Sequence, residues 1–163
     1  MKTYNSNMDT IDSILIRHLQ DDGRESWARL GEATGLTGPA VAERVRKLED
    51  AGVIRGYSAR IDPHAFGATL TAFVAISLEG AECRAPFLAR VESLGEVLEC
   101  HHVTGDDDYL LKIRCRSTLD LDRLLSRDIK GLRGVTRTRT TIALSTAKET
   151  MHLPLPATTG AVG

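Results

Sequence analysis

Residues 97–116 read VLECHHVTGDDDYLLKIRCR. Two runs of strand-forming residues, VLECHHVT and DYLLKIRCR, meet at Gly-Asp-Asp, the pattern of a hairpin. What flanks the hairpin decides the fold. Upstream, RAPFLARVESLG sets Phe87, Leu88, Val91 and Leu94 at helical steps, and before it TLTAFVAISLEG reads as a strand. Downstream, STLDLDRLLSRDIKGL turns Leu121, Leu124, Leu125 and Ile129 to one side, and VTRTRTTIALST closes as a strand. The order β-α-β-β-α-β is that of a ferredoxin-like split unit.

The first strand carries a further message. Its alternate faces are Leu70, Ala72, Val74, Ile76 and Leu78 against Thr71, Phe73, Ala75 and Ser77, and both are fairly apolar. A sheet with helices on one side only should show a wet second face. Two such sheets packed face to face would account for the pattern, so a homodimer through this half is expected.

Upstream of the sheet the period is helical. In DTIDSILIRHLQDD, Ile11, Ile14, Leu15 and Leu19 form a stripe behind Asp9, a suitable N-cap. SWARLGEAT follows, with Ser26 as its cap, an inner face of Trp27, Leu30 and Ala33, and Gly35 as its stop. TGPAVAERVRKLEDAG follows after a Gly-Leu-Thr turn, with Pro39 in the first turn and Val41, Val45 and Leu48 inward. VIRGYSARID then reads as an extended ribbon. Three short helices and a ribbon make a winged helix-turn-helix, with the helix-turn-helix at about residues 28–47. The fold class is therefore α+β: an N-terminal winged helix-turn-helix followed by a βαββαβ domain. The expected boundaries are 1–61 for the helical domain, 62–68 for a linker, 69–149 for the βαββαβ domain and 150–163 for a flexible tail rich in Pro, Gly and Thr.

The third helix carries the candidate chemistry. Thr37, Gly38 and Pro39 stand at its N-terminus, where first-turn amides suit a phosphate. Glu43, Arg44, Arg46 and Lys47 follow on it, and Arg55 lies on the ribbon. Arginines hold phosphates or read guanine edges, so this set is the candidate contact surface for double-stranded DNA. A solvated charged helix in a plain bundle carries the same residues. The formal net charge of the 163-residue chain is −1, so any affinity for nucleic acid has to come from this local patch.

Read together, these stretches closely resemble the Lrp/AsnC family of transcription regulators. DTIDSILIRHLQDDGR is similar to the family's first helix, and GLTGPAVAERVRKLEDAGVIRGYSARIDP to its reading helix and exit ribbon. ECHHVTGDDDYLLKIR resembles its sensing hairpin, G-D-x-D-Y-L-L, and GVTRTRTTIAL its last strand. The likeness covers roughly residues 9–149.

The resemblance implies a cytoplasmic, nucleoid-associated bacterial or archaeal regulator, not an enzyme. It implies dimers that assemble to tetramers, octamers or similar rings, and a free amino acid bound between sensing domains. Carried over, the effector site comprises His102, Thr104, Gly105, Asp106, Asp107, Asp108, Thr118, Thr141 and Ile142. Asp107 occupies the family's variable position and makes the loop unusually acidic, and His102 and Thr141 replace larger apolar groups. A polar or basic effector is one expectation from this. An architectural DNA-wrapping protein that ignores small molecules is the alternative, and a small-molecule enzyme or binding module a third.

Other chemistry finds little support. Three cysteines with no CxxC pair argue against a disulfide framework or a cysteine zinc site. His101 and His102 are neighbours on a strand and point to opposite faces. Asp106–Asp108 lacks the remaining ligands of a calcium loop. No metal, cofactor or catalytic residue is expected. Pairing Thr104 near Tyr109 would set Cys100 opposite about Ile113, with Cys115 diagonal to it. No signal peptide or membrane span is read, and no apolar run approaches the ~20 residues a span needs.

Overall fold

The computed structural model describes residues 8–155. Positions 1–7 of the expected helical domain and 156–163 of the expected tail lie outside the described residues. Two compact units form. One is Ile61–Lys148, and the other comprises the chain before it, through Arg60, and after it, from Glu149.

In the first unit, α1 (Thr10–Asp21) opens with a reciprocal cap. The Asp9 carboxylate accepts the Asp12 N–H at 2.8 Å, and the Asp12 carboxylate accepts the Asp9 N–H at 3.2 Å. Then come α2 (Trp27–Thr34), capped by Ser26, and α3 (Gly38–Asp50), with Pro39 in its first turn. Leu15, Leu30, Val41 and Val45 form the buried centre, with Ile11, Leu19, Leu36 and Ile54 packed on it. Burying each such side chain stabilises the fold by roughly 1.5–3 kcal/mol.

Two glycines make the α2–α3 turn. Gly35 ends α2 at φ 72°, a left-handed conformation that costs other residues. At Gly31 a Cβ would stand 2.6 Å from the Leu36 carbonyl oxygen, so only glycine lets the turn fold back this closely.

Two expectations are corrected here. Trp27 and Ala33 do not face inward; Ala33 is exposed and Trp27 is 45% exposed, because an eight-residue helix buries only Leu30 and Gly31. Residues 55–62 form no ladder, so the expected ribbon is a segment without strand pairing. Tyr57 holds that segment down. Its hydroxyl donates to Glu49 at 2.9 Å, and its ring lies against Gly23, where a Cβ would meet Cδ1 at 3.0 Å. Burial and the carboxylate push the phenol up to about 12. Beyond residue 150, the Leu153 amide donates to Gln20 at 2.6 Å, and Gln20 donates back to the Leu153 carbonyl at 3.3 Å. The start of the expected tail thus lies against α1.

The second unit contains β1 (Leu70–Leu78), α4 (Arg84–Glu92), β2 (Val97–His102), β3 (Tyr109–Cys115), α5 (Thr118–Leu124) and β4 (Val135–Ile142). The strands form one antiparallel sheet in the order β2-β3-β1-β4. Residues directly opposite share a face. Ala72, Val74 and Ile76 therefore share theirs with Ile113, Leu111 and Tyr109, and these pack with Phe87 and Val91 of α4 and Leu121 and Leu124 of α5 into one core. A five-residue π-turn, Leu125–Ile129, continues α5 and lets Leu125, Asp128 and Ile129 all be buried. Asp128 accepts from Arg90 of α4 and from Arg127. Hydrogen bonding from Arg90 first, then Arg127, outweighs burial and holds its carboxyl below the usual aspartate range.

The hairpin register differs from expectation. His102 lies opposite Tyr109 and Cys100 opposite Leu111, since β2 already ends at His102 and residues 103–108 form a longer connecting loop. Cys115 pairs with Leu70, and all three cysteines are free thiols. The helix-free face carries Phe73, Ala75 and Leu110 at its centre. Around them lie the Lys112–Glu99 pair (2.9 Å), Arg137 and Arg139. Phe73 is 38% exposed there.

Gly31→Ala should destabilise the helical unit by about 1–3 kcal/mol, the cost of forcing a methyl into a closed contact. Gly38→Ala, whose Cβ meets only Trp27 at 3.8 Å, should be near neutral. Urea unfolding followed by the fluorescence of Trp27 checks this; equal midpoints for the two variants would contradict it.

Candidate functional site

The exposed side of α3 is built by the turn before it. The Thr37 side chain makes no cap bond to its own helix and is exposed. Pro39 has no N–H, which leaves the Gly38 and Ala40 amides as first-turn donors. Glu43, Arg46 and Lys47 are exposed further along. Arg46 donates to Glu43 at 2.6 Å and Lys47 lies 3.7 Å from it. Exposed pairs of this kind contribute at most about 1 kcal/mol. They can therefore open to a phosphate or a base edge. Arg55 is exposed on the unpaired segment.

Arg44 behaves differently. Its guanidinium pairs with Asp9, and its Nε donates to Asp12 at 2.9 Å. It clamps α3 to the cap of α1 and is committed within the unit. Trp27, which sequence reasoning assigned to the core, stands beside the start of α3, its Cβ 3.8 Å from the position of a Cβ on Gly38. It is thus a surface residue next to Thr37 and Pro39. Helical spacing in so short an element held no signal for this.

The three aspartates of the hairpin have three different environments. Asp108 closes the loop: its carbonyl accepts the Val103 N–H at 2.9 Å, and its own N–H donates to the Ile76 carbonyl at 2.8 Å. Its carboxylate accepts the Leu78 N–H at 2.7 Å. Asp107 is buried on the helix-free side, accepting from the Ser77 hydroxyl (3.1 Å), Arg137 (3.1 Å) and Arg139 (2.8 Å). Burial opposes its ionisation, but the Ser77 and Arg137 hydrogen bonds and the charges of both arginines outweigh this. Its carboxyl is held below the ordinary range. Asp106 is exposed; its carbonyl accepts Arg137 at 3.0 Å, and its carboxylate has no hydrogen bond among the described residues.

Thr104 and Gly105 form the exposed tip, with Gly105 at φ 117°. His102 lies on the helix side, its ring 5.1 Å from that of Tyr109. Thr118, Thr141 and Ile142 are not brought to the hairpin. Ile142 pairs with Ala72 and Thr141 with Phe73, whereas Tyr109 pairs with Ile76. Four strand residues separate Ile142 and three separate Thr141 from the Tyr109 level, about 13 and 10 Å at ~3.3 Å per residue. Thr118 follows the far end of β3. Within one chain the expected effector residues thus fall into two separate groups. Among the described residues no group of three His, Cys, Asp or Glu side chains is placed to hold a metal ion.

Two family models match the chain. The AsnC-type helix-turn-helix domain covers residues 8–49, and the Lrp/AsnC ligand binding domain covers residues 71–153. The chain is 43% identical over 151 residues to the HTH-type transcriptional regulator LrpA of Mycobacterium tuberculosis, covering 92% of this chain and 99% of that one. It is 39% identical over 154 residues to the leucine-responsive regulatory protein of Escherichia coli, covering 93% and 94%. Among solved structures, the L-methionine complex of a transcriptional regulator from Neisseria meningitidis superposes with a TM-score of 0.88 at 30% identity, covering 91% of this chain and 97% of that one. A feast or famine regulatory protein from M. tuberculosis, complexed with L-methionine, superposes with a TM-score of 0.80 at 44% identity, covering 90% and 99%.

Asp107→Asn should lower the thermal midpoint of the sensing unit at pH 7 by leaving Arg137 and Arg139 unneutralised. The native carboxyl is depressed relative to its unfolded value of about 3.9. Its contribution is therefore present above that pH and lost as pH falls through the folded value. The gap between variant and parent should close as the pH drops below about 3.9. A gap of the same size at pH 7 and in strong acid would contradict the ion-pair role.

Proposed function

The chain belongs to the Lrp/AsnC family of DNA-binding transcriptional regulators, and from that premise we propose which residues read DNA and which end of the sensing unit takes the effector. α3 enters the major groove. Thr37, Gly38 and Pro39 meet the backbone with Trp27 beside them, Glu43, Arg46 and Lys47 meet bases or phosphates, and Arg55 follows on the exit segment. Arg44 positions the helix through Asp9 and Asp12 and does not itself reach DNA.

The effector is a free amino acid, a reading supported by the methionine complexes of two relatives. The single observation that carries its placement is the division of labour in the hairpin. Asp107 and Asp108 are committed to arginines and to a strand amide, so Asp106 is the acid left to accept an α-ammonium group. Thr118, Thr141 and Ile142 join this site from another copy of the chain, since within one chain they stand at the far end of the sheet. Because Asp107 is neutralised by two arginines, its extra charge by itself gives no reason to favour a basic effector.

The helix-free face, with Phe73, Ala75 and Leu110, pairs two chains. The dimer presents two copies of α3 and assembles further to tetramers or octamers. The protein works in the cytoplasm, on the nucleoid, and catalyses no reaction. An effector shifts its assemblies only by binding one of them more tightly than another.

Arg46→Ala should weaken binding to a selected genomic duplex by roughly tenfold and flatten the salt dependence by about one counterion. Arg44→Ala should instead lower thermal stability. Fluorescence anisotropy over a salt series checks both, and an unchanged Arg46→Ala slope would sink that contact. Thermal-shift screening of the twenty amino acids should find at least one that stabilises the parent protein but not Asp106→Ala. No shift with any of them at millimolar concentration would instead favour a DNA-wrapping protein that ignores effectors.

A further inference from the structure

Away from the hairpin, the sensing unit has a cavity of about 480 Å³ at the opposite end of the sheet. That volume lies within the range of small-molecule sites. Its floor is Cys115, Leu124 and Ala68, and Phe66 stands at its edge, 70% exposed on the short turn Pro63–Phe66. Four guanidinium groups line it: Arg114, Arg116, Arg123 and Arg127. Arg114 and Arg116 lie at the end of the hairpin's second strand farthest from its loop, Arg123 and Arg127 lie on α5 and the π-turn, and none belongs to the reading helix.

The charges are unequal in what they can still accept. Asp128 is saturated by Arg90 and Arg127, and Asp120 takes the Ser117 hydroxyl at 3.0 Å and lies 3.7 Å from Arg123. Glu96 is the third acid of the lining. Counting Arg90 behind Asp128, five guanidinium groups face three carboxylates. Arg123 and Arg127 are largely exposed, and Arg116 makes no ion pair among the described residues. Each guanidinium has five N–H donors, so the arginines keep donors to spare while two of the three acids are engaged.

The π-turn contributes to this arrangement. Such turns are rare and occur often at functional sites. Here the turn puts Arg127 on the rim while Asp128 points inward to Arg90. The cavity wall is thereby fixed to α4 as well as to α5.

We propose that this cavity binds a nucleoside phosphate, with its phosphates on Arg116, Arg123 and Arg127 and its base against Phe66. Guanidinium groups suit phosphate oxygens through paired hydrogen bonds, and an exposed aromatic ring suits a flat base. A DNA backbone is the less favoured occupant. A duplex offers its phosphates on a convex surface, whereas these arginines line a concavity that also holds Glu96 and Asp120.

Isothermal titration of the full-length protein with ADP, pyrophosphate and adenosine tests the assignment. ADP should bind one site per chain, tighter than either fragment, and Arg116→Ala/Arg123→Ala should weaken it by roughly tenfold or more. The thermal midpoint of that double variant, together with its response to the amino acid that stabilises the parent, reports whether it folds. Phe66→Ala should reduce ADP affinity to that of pyrophosphate. No binding of ADP at millimolar concentration overturns the proposal, as does equal ADP affinity in the parent and a folded double variant. Loss of duplex affinity in that variant with ADP affinity unchanged would assign the cluster to DNA instead.

Discussion

Two carboxylates tie the β2–β3 hairpin to the centre of the sheet, and the sensing unit is organised around that tie. Asp108 accepts the amide of Leu78, at the end of β1. Asp107 gathers Ser77 of β1 with Arg137 and Arg139 of β4. β4 is an edge strand that would otherwise carry two unneutralised arginines beside an apolar strip. Both arginines are largely exposed, and the charge that is buried is that of Asp107; a buried charge persists only when paired, so the strand supplies the counter-charges that the loop needs. The same tie leaves Asp106 and Gly105 projecting at the tip.

The helical unit shows a parallel arrangement. Arg44 is held by the two acids that cap α1, so the charge nearest the middle of α3 stabilises the packing of the helices. Arg46 and Lys47, two and three residues further on and on the outer side, share the single acid Glu43 in exposed pairs. The difference between an internal clamp and an exchangeable contact comes from which side of the helix each residue occupies.

Much of this architecture was legible in the chain because its hydrophobic period changes. Leu15, Val41 and Val45 recur at helical steps, and Ala72, Val74 and Ile76 alternate. All six are buried where those periods put them. Leu121, Leu124, Leu125 and Ile129 were legible too, although the π-turn that accommodates Asp128 beside them was not. The partners of Asp107 lie about thirty residues away in either direction, and those of Arg44 lie on another helix; no local period encodes such pairings. Trp27 was misplaced because two turns of helix define no clear stripe. The hairpin register differed because its loop spans residues 103–108, and the expected wing found no strand to pair with. For the proposed effector site, the residues of the hairpin were legible as a group, whereas the separation of Thr118, Thr141 and Ile142 from it needed the sheet register.

The central claim is that the projecting tip, and not the acids beneath it, receives the effector. Hydrogen–deuterium exchange of the full-length protein, with and without its most stabilising amino acid, tests this most directly. The account predicts added protection in residues 103–106 and in β4 around Thr141, with Asp108 and Leu78 protected equally in both states. Protection confined to α5 and the π-turn, or none in the hairpin at saturating amino acid, would contradict it.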